Sequence, residues 1–293
     1  MSTFSNWLEA TRPKTLPAAL IPVLIGSALA WKHLSFHLDV FLMSSICALL
    51  IQIGTNFAND YFDFKKGADT DERIGFKRAS ASGLIKPETM LLATIITMLL
   101  AFICGLYLVY IGGWIILAIG IASLAFGILY TGGPFPLAYN GLGDIFVFIF
   151  FGIIAVCGTF YVHTGLFYWE VFFASLVPGA LSTNILVINN LRDTETDRKV
   201  NKRTLGVIFG DTFLKVEYLL LCLMAFAIPS HLQFWDRYNY YIFLPMLSFP
   251  FAYLLCKRLF TYHDKVELND LLAKTAQFLI LFGILFTIGI TIQ

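Results

Sequence analysis

Nine predominantly apolar stretches recur along this chain, at Leu16–Trp31, Val40–Ala58, Met90–Ile111, Trp114–Tyr130, Ile145–Val162, Val171–Val187, Phe213–Pro229, Tyr240–Cys256 and Leu271–Ile292. A helix needs about 20 mostly apolar residues to cross the hydrocarbon core. Lipid offers no partner to a bare backbone N–H or C=O, so such stretches cross as helices. The repetition predicts an all-α, polytopic membrane protein with nine transmembrane helices, read as one domain over residues 1–293. Composition agrees: 58% of residues are hydrophobic and 13% charged, with a mean hydropathy of +0.76, where a soluble domain carries about 25% charged residues. The eighth stretch holds Pro245 and Pro250 and is expected to kink. The seventh opens with Lys215 and Glu217 and is expected to begin at the membrane interface.

The net charge is +1, and there is no basic stripe of the kind a nucleic-acid reader needs. Cys47, Cys104, Cys157, Cys222 and Cys256 sit in or beside apolar stretches without metal-ligand spacing, which favours buried thiols over disulfides or zinc. Trp7 to Lys14 is mixed and polar, which argues against a cleavable leader.

The connections are unequal. Those after the second and sixth stretches are long and polar, Asn59 to Glu88 and Ile188 to Thr212. Alternating the stretches across a membrane puts most Lys and Arg residues on one side and only Lys32 and Arg237 on the other. The excess of positive charge marks the cytoplasmic side. This orients the N-terminus and both long connections toward the cytoplasm of a cell (inner) membrane, and the C-terminus away from it.

The two long connections echo each other. The second stretch runs into Asn59, Asp60 and Asp63, followed by Lys77 and Arg78; the sixth runs into Asn190, Arg192, Asp193 and Asp197, followed by Lys202 and Arg203. Spacings of three, four and seven put Asn56, Asn59, Asp60 and Asp63 on one helix face, and Asn190, Asp193 and Asp197 share a face in the same way. Acids beside hydrocarbon normally face a bundle interior or cavity. Two such clusters aimed at one space repel unless cations lie between them. Carboxylate and amide oxygens are hard ligands suited to Mg²⁺, which is commonly shared with substrate phosphates. Lys77, Arg78, Lys202 and Arg203 are placed to grip a diphosphate. One cluster alone reads equally well as a solvated loop; two matched clusters on one side weigh against that.

Other features are less decisive. Asp69, Asp71 and Glu72 are either solvated or, for Asp69, a further ligand. Tyr130-Thr-Gly-Gly-Pro-Phe-Pro-Leu137 is a turn that contains no Lys or Arg; it is an ordinary connection or the lining of an aromatic pocket. Arg12, Lys14 and Thr15 read as an interfacial anchor. Lys274 falls inside the ninth stretch, as a snorkelling or cavity-facing base.

Asn59-Asp60-x-x-Asp63 with Asp193-x-x-x-Asp197 resembles the UbiA superfamily of intramembrane prenyltransferases. The longer strings are similar to its 1,4-dihydroxy-2-naphthoate polyprenyltransferase branch: Arg12-Pro-Lys-Thr-Leu-Pro-Ala18, Gly54 through Asp69, Tyr130-Thr-Gly-Gly-Pro134 and Asn189 through Leu205. The resemblance implies helices around a central cavity with a cytoplasmic cap. It implies Mg²⁺ held by Asp60, Asp63, Asp193 and Asp197 with Asn59 and Asn190 assisting. It implies substrate contacts from Asn56, Lys77, Arg78, Tyr130, Arg192, Lys202 and Arg203. The partners would be a polyprenyl diphosphate and 1,4-dihydroxy-2-naphthoate within the lipid bilayer; the reaction would release pyrophosphate and carbon dioxide and give demethylmenaquinone. Two departures stand out: Gly67 replaces the further Asp of the wider first motif, and the loop after the fourth helix lacks the basic residue of hydroxybenzoate-type members. The alternatives are another aromatic prenyltransferase of this type, with a hydroxybenzoate or chlorophyll-type acceptor, or a secondary transporter, whose acids would sit nearer the membrane midplane.

Overall fold

The computed structural model describes residues 3–68, 74–75 and 78–292. Its helices are α1 (Thr3–Ala10), α2 (Leu16–Lys32), α3 (Leu38–Lys65), α4 (Pro87–Leu129), α5 (Gly143–Thr164), α6 (Trp169–Lys199), α7 (Leu205–Phe209), α8 (Asp211–Trp235), α9 (Tyr240–Thr261) and α10 (Leu268–Thr291). No strand occurs among the described residues.

Eight helical stretches are long and apolar enough to cross a membrane, against nine read from the sequence. The difference lies in α4, whose 43 residues would reach about 65 Å as one rod, twice the hydrocarbon thickness. It is not one rod. Gly113 takes φ 70° and ψ −158° in its middle, a conformation open to glycine and costly for other residues. Beyond it the chain returns: a Cβ placed on Gly127 would lie 3.4 Å from Met98 Cε. The third and fourth apolar stretches are therefore two antiparallel crossings joined without a loop.

α6 runs through the middle of the bundle. Its Val171, Ala174, Val177, Leu181 and Ile188 pack with Ile25 and Leu29 of α2, Tyr218 of α8 and Phe278 and Phe282 of α10 in one continuous core. Small residues allow the closest approaches. Gly152 of α5 meets Gly179 of α6, where a Cβ would come within 2.8 Å of the facing Cα. Around Gly152, α5 widens into a π-helical stretch at Ile149–Ile154. Outward, Leu92, Ile95, Leu99 and Ile103 of α4 are exposed at helical spacing, as a lipid-facing stripe must be.

Two helices outrun their apolar stretches. α3 continues past Ala58 to Lys65, and α6 past Val187 to Lys199. Hydropathy marks where hydrocarbon ends; the helical hydrogen-bond ladder does not have to stop there. The acid clusters thus stand on rigid helix. α9 divides as its prolines require, into a 3₁₀ stretch at Tyr240–Ser248 and an α-helix from Phe249 with Pro250 in its first turn. α8 begins at Asp211, and Lys215 lies 4.6 Å from the Tyr262 ring centroid.

Candidate active site

A cavity of about 830 Å³ opens inside the bundle, lined by α2 to α6 and the segment before α2. One end is polar, the rest apolar. At the polar end α3 presents Asn56, Asn59, Asp60 and Asp63, all buried. The Asp60 carboxylate accepts backbone N–H bonds from Ala79 and Ser80, both 2.9 Å. Asp63 accepts from Arg78 Nη2 at 3.0 Å and from the Tyr139 hydroxyl at 2.9 Å. Asn59 Oδ1 accepts from Thr131 Oγ1 at 2.8 Å. The two aspartates thus fold the connection after α3 back over the cavity mouth.

On α6, Asn190, Asp193 and Asp197 are buried as well. Asp193 receives Arg192 through both Nε and Nη2, each 2.7 Å. Arg192 is 1% exposed and also donates to Asn189 and to Asn269 of α10. Asn269 in turn donates to Ile74 O at 3.2 Å. Asp197 pairs with Lys202 at 3.2 Å. The two clusters share one space: Asn59, Asp60 and Asp63 of α3 line the same cavity as Asn190 of α6 and as Arg192 and Lys202, the partners of Asp193 and Asp197.

The sequence-derived candidates separate on this geometry. Asn59, Asp60, Asp63, Arg78, Tyr130, Asn190, Arg192 and Lys202 line the cavity. Asn56 lines it too, but donates to Thr11 O and Thr15 Oγ1, tying the segment before α2 to α3. Asp193 and Asp197 stand one layer back, because their carboxylates turn toward Arg192 and Lys202. Arg203 is not brought to the cavity. Its side chain is exposed, and only its backbone N–H joins the site region, at Tyr139 O, 3.1 Å. Lys77, Asp69, Asp71 and Glu72 lie outside the described residues. Lys274 faces away from the cavity lining and pairs with Asp270 at 3.0 Å. Arg12 and Lys14 do more than anchor an interface, since both line the cavity. The short 3₁₀ turn at Pro13–Thr15 and a left-handed Arg12 (φ 52°) place them there.

Several residues emerge only in three dimensions. Tyr139 approaches Asp63 from the 3₁₀ turn at Leu137–Tyr139, just past the Gly- and Pro-rich turn read from the sequence. Lys66, at the end of α3, donates to Thr131 O at 2.5 Å and lies 4.2 Å from the Tyr139 ring centroid, so it brings a cation to a loop that has none. Withdrawal from water holds its ammonium below the ordinary lysine range, with Asp63 opposing and Lys202 adding to the shift. Asp144 is 3% exposed at the start of α5; an acid heading an apolar stretch is the sequence signal for it.

Below the polar end the walls are apolar. Phe126, Phe146 and Phe150 form an aromatic cluster, with centroids 4.9, 5.5 and 6.0 Å apart. Gly105 and Gly120 line the cavity with nothing within 4 Å of an added Cβ.

Among the described residues no three Asp, Glu, His or Cys side chains converge as a closed metal cage. What is present is an all-oxygen set spread over two helices beside several cations. That donor chemistry fits Mg²⁺, which usually takes one or two protein carboxylates and completes its octahedron with water and substrate phosphate oxygens.

A family model described as "UbiA prenyltransferase family" matches residues 19–290. A 1,4-dihydroxy-2-naphthoate octaprenyltransferase of Haemophilus influenzae is 34% identical, over 98% of this chain and 96% of that one. The Escherichia coli enzyme of the same name is 35% identical, over 99% and 96%. A UbiA homolog from Archaeoglobus fulgidus, bound to DMAPP and Mg²⁺, shares the fold at a TM-score of 0.66 over 97% of this chain and 99% of that one, with 12% identity. With a model covering nearly all the membrane-spanning helices and relatives matched end to end, this chain belongs to the UbiA prenyltransferase family, as a multi-pass membrane enzyme.

Proposed function

We propose that the chain transfers a polyprenyl group from polyprenyl diphosphate to 1,4-dihydroxy-2-naphthoate. The observation that carries this reading is the end-to-end identity, 34% and 35%, with enzymes named for that acceptor. The cavity supports it, with a charged mouth for a diphosphate and an apolar, aromatic interior for a chain and a ring.

The diphosphate head lies at the polar end, within reach of Arg78 and Lys202. Asp60, Asp63 and Asn59 from α3, with Asn190 from α6, would hold Mg²⁺ there, and Asp193 and Asp197 would contribute from one layer behind the lining. Bound Mg²⁺ supplies Lewis-acid stabilisation of the departing pyrophosphate. The basic side chains share the charge that develops as the allylic C–O bond breaks. Phe126, Phe146 and Phe150 in the lining shield the allylic cation from water and stabilise it through their π-systems. On balance a ring carbon–prenyl bond replaces the ring carbon–carboxylate bond, carbon dioxide leaves, and the product is demethylmenaquinone in its hydroquinone form. The clustering of Lys and Arg on one side supports a cytoplasmic mouth.

The test is a product assay on purified protein with Mg²⁺, a polyprenyl diphosphate and either 1,4-dihydroxy-2-naphthoate or 4-hydroxybenzoate. The expected result is product from the naphthoate alone, abolished by EDTA and restored by Mg²⁺. Product from the benzoate alone would overturn the acceptor. A second expectation concerns tail length. Gly120 lies ten residues, about 15 Å, along its helix from Tyr130. Gly120→Trp is expected to lower kcat/KM for long donors by about tenfold or more and to spare short ones, as read by the chain length of the product.

A further inference from the structure

Asp144 is the one acid on α5 among the described residues, and the reaction as set out above leaves it without a task. It is 3% exposed and lines the cavity. Its Oδ2 accepts a single long hydrogen bond, from Asn190 Nδ2 at 3.4 Å. Its Oδ1 is buried with no hydrogen-bond partner. A buried carboxylate oxygen without a donor is costly, and in a residue of a cavity lining such a group calls for an explanation, a functional role among them.

The surroundings narrow what that molecule is. Tyr130 packs at the head of α5, its hydroxyl 3.1 Å from where a Cβ on Gly143 would sit. Further along the same wall stand Phe146 and Phe150 with Phe126 facing them. α5 changes to π-helix within this wall, at Ile149–Ile154, a local form often found at functional sites. The lining thus combines a carboxylate short of hydrogen-bond donors with three aromatic side chains. That pairing suits a hydroxylated aromatic ring, and it does not suit an isoprenoid tail, which has no donor.

We propose that the Asp144 carboxylate, after a turn of its side chain that brings an oxygen to the cavity surface, accepts a hydrogen bond from a ring hydroxyl of the aromatic acceptor, so fixing the ring against the Phe126–Phe146–Phe150 wall. The hydroxyl keeps its proton. The carboxylate polarises it and raises electron density in the ring, which favours attack on the allylic cation. This assignment rests on the prenyltransferase reading above, but not on which phenolic acceptor is used.

The experiment uses full-length Asp144→Asn protein in detergent beside wild type, on whichever of 1,4-dihydroxy-2-naphthoate and 4-hydroxybenzoate the wild type prenylates. The expected result is an acceptor KM raised about 10- to 100-fold, the range for losing a hydrogen bond to a charged group. The donor KM and the thermal midpoint should stay near wild type. The matching hydroxyl-free carboxylate, 2-naphthoate or benzoate, is then titrated as an inhibitor. In wild type the hydroxylated ring should bind far more tightly than its hydroxyl-free analogue, and in Asp144→Asn that advantage should vanish. An unchanged acceptor KM, or the same hydroxyl advantage in the variant, overturns the proposal. A wild type that prenylates the benzoate instead overturns only the named acceptor, and the ratio of variant to wild type still tests Asp144.

Discussion

Asp60→Asn is expected to reduce turnover by roughly 10²–10³-fold, the scale of losing one preorganised electrostatic contact to a transition state. The substitution removes a negative charge and keeps the side chain's size. In the folded protein the Asp60 carboxylate accepts from the N–H groups of Ala79 and Ser80. An amide keeps one accepting oxygen and turns an NH₂ toward the other N–H, so a stability loss of about 1–3 kcal/mol accompanies the activity loss. The two effects separate by measurement. The thermal midpoint should fall modestly, while activity at a temperature well below that midpoint stays low at any Mg²⁺ concentration. Full activity in a folded Asp60→Asn protein would remove Asp60 from the metal set.

Arg192→Leu is expected to have the largest effect on stability. Arg192 and Asp193 are 1% and 4% exposed at their side chains and share two contacts of 2.7 Å. Removing the cation takes both of these charge-assisted contacts from a buried carboxylate, a loss on the order of 3–5 kcal/mol. It also releases Asn269, which links α10 to Ile74, and so loosens the cover over the cavity mouth. The single variant should unfold at a markedly lower temperature in detergent. An Arg192→Leu/Asp193→Leu double variant should recover much of that loss, because the buried carboxylate that lost Arg192 is then gone as well. If the double variant is no more stable than the single one, the ion pair is not what holds this region.

The same pair changes what a neutral substitution at Asp193 can show. From the sequence, Asp193→Asn is expected to abolish turnover with folding intact, as Asp60→Asn would. The structure makes Asp193 the buried partner of Arg192, so Asp193→Asn also disturbs a charge balance, and loss of activity there does not by itself identify a metal ligand. Asp60 and Asp63, which line the cavity directly, are the cleaner positions.

Much of the architecture was legible in the residues. Hydropathy located every crossing, because hydrocarbon imposes a nearly fixed length on any helix that spans it. The i, i+3, i+4 spacing of Asn56, Asn59, Asp60 and Asp63 put them on one face, and all four are buried along one side of α3. The glycines were less legible. Gly112-Gly113 reads as a short loop between two helices, yet the chain passes through Gly113 with a single residue in a left-handed conformation.

What sequence alone determined is therefore the membrane, the crossings and the chemical character of the two polar clusters, all of which follow from local composition and helical period. What only the tertiary structure decided is which partner each charge takes. Spacing could not show that Arg192 is turned to Asp193 and Asn269, that Tyr139 reaches Asp63, that Arg203 points out, or that Asp144, in the cavity lining, keeps a buried oxygen without a partner. Those contacts join residues far apart in the chain. In a low-dielectric interior the energy of a charge depends on its nearest partners, and nearness is a property of the packed helices.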